Sequence, residues 1–255
     1  MENIYLKQKL DGSSGIFGSS FSNRYTTWRI KNSIIASLRG RLSEERSKSI
    51  SILDVGCFEG SLLFEINSLF SDTFSISSTG IDLSTHGIEF ASKRAEYFNL
   101  KGFTFAVMDA NKLEYPDKTF DFVICTEVVE HIPNPENVFN EISRVLSKTG
   151  TAIITTPNGG NNLVKLFSKL FNFFSFGYLK RSMNNDNKAI EKVLSPADIN
   201  AQRQENVGFG HISVKPLKGW LQIISNAKLS VQRVAGTGGP FFGSPIIDAI
   251  EYYSL

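Results

Sequence analysis

From residue 50 onward, short apolar runs alternate with segments whose apolar residues recur at helical spacing. "ISILDV" is followed by "SLLFEINSLF", "STGIDL" by "HGIEFASKRAEYF", and "FTFAVM" by "FDFVICT", "ENVFNEISRVL" and "TAIITTP". A run that is apolar at nearly every position suits a strand covered on both faces, and a three-to-four spacing suits a helix laid on it. Strands and helices in this alternation predict βαβ units, so the fold class is α/β with a doubly wound, mostly parallel sheet and flanking helices. The alternation stops at Pro157.

The segments on either side complete the outline. Residues 11–22, "DGSSGIFGSSFS", read as a flexible lead-in, and Trp28, Ile30, Ile34, Ile35 and Leu38 after them have roughly helical spacing. Residues 1–49 are therefore expected to be a lead-in and a helix, 50–157 the core, 158–210 an insert, and 211–255 the completion of the core through "PLKGWLQIISNAKLSVQRVAG". An insert at the carboxyl end of the fifth strand lies where open α/β sheets bind ligands, which suits a helical cap. Within it Leu163, Leu166, Phe167, Leu170, Phe171 and Phe174 share a stripe, with Lys165, Ser168, Lys169 and Asn172 opposite. Three readings of this stripe stand: a lid packed on its own core, dimerisation, and contact of 163–179 with a lipidic substrate or a membrane surface. The last residues, "SPIIDAIEYYSL", show no clear strand partner; a helix ahead of a missing strand and a shorter sheet both fit, and so does a natural fragment.

Composition narrows the partners. A chain of 255 residues with a net charge of +2 lacks the basic excess of a dedicated nucleic-acid binder. The start, "MENIYLKQKLDGSSG", has no apolar run of signal-peptide length, and nowhere do eighteen uninterrupted apolar residues occur, which argues against secretion and a membrane span. Cys57 and Cys125 sit in apolar, strand-adjacent contexts and fit a reduced, cytoplasmic protein, with a membrane-peripheral location if the stripe of 163–179 meets lipid.

Candidate chemistry begins at "SILDVGCFEGS", residues 51–61. A loop that leaves a strand and opens a helix puts free backbone N–H groups and the positive helix end beside whatever lies over the turn. Gly56 and Gly60 let the backbone come close, although the order Gly56, Cys57, Phe58, Glu59, Gly60 departs from the G-x-G-x-x-G of nicotinamide sites. A plain tight turn fits the loop taken alone. Asp82 in "TGIDLS" ends the second strand, where a carboxylate can accept from both hydroxyls of a ribose, so a ribose-bearing ligand is expected.

"ILDVGCFEGSLL", "TGIDLS", "VMDANKLEYPDKTFDFVICTEVVEHIPNP" and "LSKTGTAIITTPN", in this order, resemble class I S-adenosylmethionine-dependent methyltransferases, near the branch with ubiquinone-biosynthesis O-methyltransferases. The resemblance covers residues 50–157 and implies a Rossmann-like fold with S-adenosyl-L-methionine as cofactor. It further implies that Asp54, Gly56, Cys57 and Gly60 cradle the methionine part, that Asp82 holds the ribose and Leu83 packs on adenine, that Asp109 and the N–H of Ala110 read the adenine edge, and that Glu127 or Thr126 lies near the methionine carboxylate and sulfonium. Phe58 stands where many relatives have glycine.

Methyl transfer is an in-line displacement, so a base is needed only if the acceptor must lose a proton. The chain has three histidines. His86 opens a predicted helix and reads as solvated or capping. "EVVEH" puts Glu127, Glu130 and His131 at i, i+3 and i+4, one side of a helical turn, and His211 in "GFGHIS" can return to that rim. His131 as a general base, as a structural residue, and as part of a divalent-cation site with Glu127, Glu130 and His211 all remain open; the last resembles the set in metal-dependent small-RNA 2′-O-methyltransferases. The acceptor is expected to be a small or lipid-linked molecule carrying a hydroxyl. An RNA 2′-hydroxyl, an inactive cofactor-binding scaffold and a nicotinamide dehydrogenase are the alternatives.

Overall fold

A computed structural model describes residues 21–43, 49–159, 212–236 and 246–254. Its elements run α1 (Phe21–Leu42), β1 (Ser49–Val55), α2 (Ser61–Phe70), β2 (Ser75–Asp82), α3 (Thr85–Tyr97), β3 (Phe103–Val107), β4 (Phe120–Thr126), α4 (Pro135–Val145), β5 (Leu146–Pro157), α5 (Leu217–Asn226), β6 (Leu229–Gly236) and β7 (Ile246–Ser254). The strands form one seven-stranded sheet in the order β3-β2-β1-β4-β5-β7-β6. β3, β2, β1, β4 and β5 are parallel, and β7 runs antiparallel to both β5 and β6. This is the Rossmann-like α/β arrangement, with flanking helices on the sheet.

Alternate side chains of the central strands explain why both faces are covered. Ile52, Ile124 and Ile153 point into a core closed by Ile34, Ile35 and Leu38 of α1 and Leu63 and Ile66 of α2. Their neighbours Leu53, Val123, Ala152 and Ile154 point into a second core closed by Val138, Phe139 and Ile142 of α4 and Trp220, Ile223 and Ile224 of α5. Ile52, Leu53, Val123, Ile124 and Ile153 are wholly buried, and each such side chain contributes about 1.5–3 kcal/mol. A strand buried on both sides has no polar face, which is why these segments are nearly continuous apolar runs.

The C-terminal tail corrects the sequence reading. "IIDAIEYYS" is neither a helix nor a surplus, since Ile246–Ser254 is the strand that fills the gap between β5 and β6. Isoleucines and tyrosines favour a pleated surface, and the register pairs Ala152 with Tyr252 on one side and Val231 with Tyr252 on the other. The proposed cap, residues 158–210, lies outside the described residues from 160 onward, together with the stripe of 163–179 and His211. Its two flanks are described and are tied together: Gly159 N–H donates to the Lys215 carbonyl at 3.0 Å and Leu217 N–H to Asn158 Oδ1 at 3.1 Å. Among the described residues no helix is long and apolar enough to cross a membrane.

Candidate functional site

The strand order reverses between β1 and β4, and a crevice at the carboxyl ends of the strands is the ligand position in such sheets. Val55 pairs with Cys125 and with Ile81, so the loops after β1, β2 and β4 emerge side by side. Gly56 at φ 80° faces Val128, and a Cβ there would stand 2.3 Å from its Cγ2. No other residue fits at that crossing. A Cβ on Gly60, at φ 69°, would stand 2.8 Å from the Phe105 ring, and Gly60 caps α2 without any side-chain cap on the first turn. Phe58 adopts φ 46°, the left-handed region glycine normally occupies.

Four amide donors of the loop are used within the fold, while the first turn of α2 has no side-chain cap. Gly56 and Cys57 N–H both donate to the Ile81 carbonyl, at 2.8 and 2.9 Å, and Gly60 N–H donates to the Cys57 carbonyl at 2.8 Å. Phe58 N–H donates to Asp82 Oδ2 at 2.9 Å. Close approach at the glycines, the uncapped first turn of α2 and the acceptor groups are what the loop offers a ligand. Asp54, the penultimate residue of β1, is buried, and burial followed by the Asp82 charge pushes its carboxyl up to about 7. A cationic ligand group nearby would favour its charged form. The Cys57 thiol is pushed upward by burial and by Asp54, so it stays neutral and unreactive.

Asp82 is fixed from two sides. Its Oδ2 accepts from Phe58 and its Oδ1 from Ser84 N–H at 2.8 Å. An ionised carboxylate has about four acceptor positions, so each oxygen keeps one for a further donor. Leu83 beside it is 68% exposed and Val107, paired across the sheet with Asp82, is 51% exposed. Apolar side chains standing free at a strand end offer a flat ligand face a place to pack. Ala110 is buried on the same rim. Asp109 is exposed, and its Oδ1 accepts from Asn111 N–H at 2.8 Å and from Asn111 Nδ2 at 2.9 Å.

The region after β4 differs from the expected helical turn. Glu127 has φ 54°, and only Val129–His131 form a short 3-10 turn, so Glu127 does not share a helical face with Glu130 and His131. A left-handed residue cannot continue a helix. Thr155 Oγ1 instead holds Glu127 Oε1 at 2.9 Å, and Glu127 N–H donates to the Thr155 carbonyl. Glu130 is wholly buried; its Oε2 accepts from Thr156 Oγ1 at 3.2 Å and its Oε1 stands 3.8 Å from His131 Nε2. Burial, then the Glu127 charge, pushes Glu130 up to about 8. Among the described residues no three His, Cys, Asp or Glu side chains are grouped for a metal ion. Thr126 Oγ1 and Glu130 Oε1 are buried without a hydrogen-bond partner at this strand end.

Val128, Ser84, Gly87, Thr155 and Thr156 shape the site and were not singled out from sequence. The "TTP" ending β5 is a signal for Thr155 and Thr156 alone, since two hydroxyls at a strand's carboxyl end can hold carboxylates across the crevice. The residues present fit a cofactor with a cationic end, a ribose and a flat base: two glycines that admit close approach, a buried carboxyl, a pinned carboxylate and an exposed leucine.

Comparison with known proteins gives the same answer. A family model described as "Methyltransferase domain" matches residues 46–212. A ubiquinone biosynthesis O-methyltransferase of Psychrobacter cryohalolentis is 26% identical over 214 residues, 76% of this chain and 79% of that protein. A ubiquinone/menaquinone biosynthesis C-methyltransferase of Rickettsia bellii is 23% identical over 238 residues, 88% of this chain and 96% of that one. In structure, the chain resembles phosphoethanolamine N-methyltransferase 2 of Haemonchus contortus in complex with S-adenosyl-L-methionine, with a TM-score of 0.56 at 18% identity over 92% of this chain and 43% of that one.

Proposed function

The chain belongs to the methyltransferase-domain family and is an S-adenosylmethionine-dependent methyltransferase, and from that premise we propose that it methylates a hydroxyl group of a small or lipid-linked acceptor. When bound, S-adenosylmethionine supplies a methyl group on a sulfonium, which leaves as a neutral thioether. Asp54, Gly56, Cys57 and Gly60 hold the methionine part, Asp54 through its charge and the glycines through close backbone approach. Asp82 accepts from the ribose hydroxyls, Leu83 packs on the adenine, and Asp109 with Ala110 meets the adenine edge. Glu127, held by Thr155, contributes negative potential at the cationic end.

The observation that carries the hydroxyl reading is the place of His131. Its side chain is 31% exposed beside the buried Glu130, in the short turn that follows β4. An imidazole there can take the hydroxyl proton as the oxygen forms its new bond to carbon. The relative from Psychrobacter cryohalolentis is an O-methyltransferase by name, which supports the same reading. His211 remains a second candidate for this rim. Residues 50–157 with 211–255 then serve as the cofactor core and 158–210 as the acceptor-side cap; the aromatic stripe of 163–179 supports a lipid-linked acceptor and contact with a membrane surface.

The test is incubation with isotopically labelled S-adenosylmethionine and a panel of phenolic, isoprenoid-linked phenolic, amine and carbon-acid acceptors, read by mass spectrometry. Label on a phenolic oxygen is the expected result. Label on nitrogen or carbon alone would replace the hydroxyl reading and leave the methyltransferase identity standing.

A further inference from the structure

We propose that Phe58 and Gly87 form a matched pair that holds the Asp82 carboxylate ready for the ribose hydroxyls, which makes Phe58 a positioning residue for the cofactor. The inference rests on the reading of Asp82 as the ribose acceptor and adds how this chain fixes it.

Four residues close a circuit. Phe58 N–H donates to Asp82 Oδ2 at 2.9 Å, Ser84 N–H donates to Asp82 Oδ1 at 2.8 Å, and Gly87 N–H donates to Ser84 Oγ at 3.1 Å. Gly87 then meets Phe58 again: a Cβ on Gly87 would lie 2.7 Å from the ring's Cδ2 and 3.1 Å from the Phe58 carbonyl carbon and oxygen. The first turn of α3 and the loop after β1 are thus locked by one ring packed on one glycine, with the carboxylate between them.

The backbone at Phe58 shows that this ring is not a neutral filling. At φ 46° a side chain is strained where glycine is not. A glycine at 58 would keep the N–H bond to Asp82 and relieve the strain, but the loop would lose its apolar hold on α3. Phe58 keeps the strained shape and supplies the contact. Both Asp82 oxygens are consequently held before any ligand arrives, each with acceptor capacity to spare, and a site arranged in advance loses less on binding. Gly87 is the necessary partner because any side chain would displace the ring.

The experiment compares the affinity of S-adenosylhomocysteine with that of its 2′-deoxyribose counterpart, by calorimetry, in the parent, Phe58→Gly, Gly87→Ala and the double variant. A hydroxyl-specific ratio reports Asp82 alignment, whereas general loosening of the fold weakens both ligands alike. Phe58→Gly is expected to cut the ratio about fivefold, the scale of one hydrogen bond. Gly87→Ala is expected to cut it as well, and adding Phe58→Gly to it should recover part of the loss, since removing the ring gives the new methyl room. If Gly87→Ala does not fold, Phe58→Gly and Phe58→Leu decide: Leu keeps an apolar contact and should fall between parent and Gly. A parent ratio retained in Phe58→Gly overturns the proposal. A parent that does not prefer the 2′-hydroxyl overturns the ribose reading of Asp82, and the proposal with it; that failure appears in the unmodified protein and so is distinct.

Discussion

The Ser213 hydroxyl donates to the Ile132 carbonyl over 2.6 Å, tying the chain that returns after residue 211 to the turn that carries His131. Ile212 and Ser213 N–H both donate to the Glu130 carbonyl at 2.9 Å, so the return of the chain is anchored on the turn after β4. Ser213→Ala removes the hydroxyl from this anchor, with its contacts to the Ile132 and Pro133 carbonyls, and leaves the two backbone bonds. It should leave S-adenosylhomocysteine affinity within about twofold, while the acceptor KM rises about three- to tenfold, the scale of one buried hydrogen bond. Calorimetry and steady-state methylation on the same preparation check both; an equal loss in the two would assign Ser213 to general stability.

Asp54 makes cofactor binding depend on pH. Its carboxyl is pushed up to about 7 by burial and then by Asp82, against 3.8 for the ordinary group. The native state therefore holds a proton that the unfolded chain releases, so this contribution to stability is present in acid and is lost as pH rises from about 4 through 7. Glu130, pushed up to about 8, acts in the same direction. The Tm of the protein without ligand should fall between pH 6 and pH 8.5, as scanning calorimetry would record. A cationic ligand stabilises the ionised Asp54, so S-adenosylmethionine should bind more tightly as pH rises through about 7 and should release protons. Calorimetry in buffers of different ionisation enthalpy measures that release. Asp54→Asn should abolish it, and an unchanged proton count would remove Asp54 from the cationic end.

Asp82 carries more than ribose contacts. Its oxygens accept from Phe58 and Ser84, so Asp82→Ala leaves two amides without partners as well as removing acceptors from the ligand. Cofactor affinity should fall by roughly 1.5–3 kcal/mol, the range for hydrogen bonds to a charged group, and the Tm should fall too. Asp82→Asn keeps the shape and one acceptor, and should sit between. Unchanged affinity in Asp82→Ala by calorimetry would reject the role.

The parallel sheet was legible because burial on both faces leaves a trace no side chain can hide: Ile52 and Leu53 go to opposite cores, and both must be apolar. Asp82 was legible for the same reason, as a charge ending such a run. The tail was not, because "IIDAIEYY" has no meaning until β5 and β6 leave a gap the width of one strand. "EVVEH" misled through its spacing, since the left-handed Glu127 is set by the crossing of Gly56 against Val128 and by Thr155, contacts distant in sequence. Phe58 stood out as a departure, but its partner Gly87 carries no local signal at all.

Arg94 should govern the stability of the cofactor loop. It is buried, donates to Ser61 Oγ at 3.3 Å and lies over the Phe64 ring at 4.5 Å. Burial lowers its pKa and the charge of Glu59, itself buried, opposes that lowering. Arg94→Met keeps the stem and removes the charge near Glu59 and the bond to Ser61, which should destabilise the protein by roughly 2 kcal/mol, the scale for a hydrogen bond to a charged group. Glu59→Gln added to it should recover part of that loss in denaturant titrations. A double variant no more stable than Arg94→Met would mean that Glu59 and Arg94 act independently.

His131 is the last group to be tested, and the test turns on its neighbours. Glu127 is committed to Thr155, and Glu130 is wholly buried with its carboxyl pushed up to about 8, so near neutral pH Glu130 is mostly uncharged. The His131 imidazole lies 3.8 Å from Glu130 Oε1 and is partly exposed, a placing that suits a proton acceptor for the hydroxyl. His131→Ala should therefore lower turnover about 100-fold with S-adenosylhomocysteine affinity unchanged, and His131→Gln should not restore it. Turnover in the parent should survive EDTA. Loss of activity in EDTA, restored by magnesium or manganese and weakened in both His131→Ala and His211→Ala, would instead assign the two histidines to a divalent cation that lowers the acceptor's pKa. Full turnover in His131→Ala would discard base and cation alike, and leave the rate to the alignment of acceptor oxygen and methyl carbon.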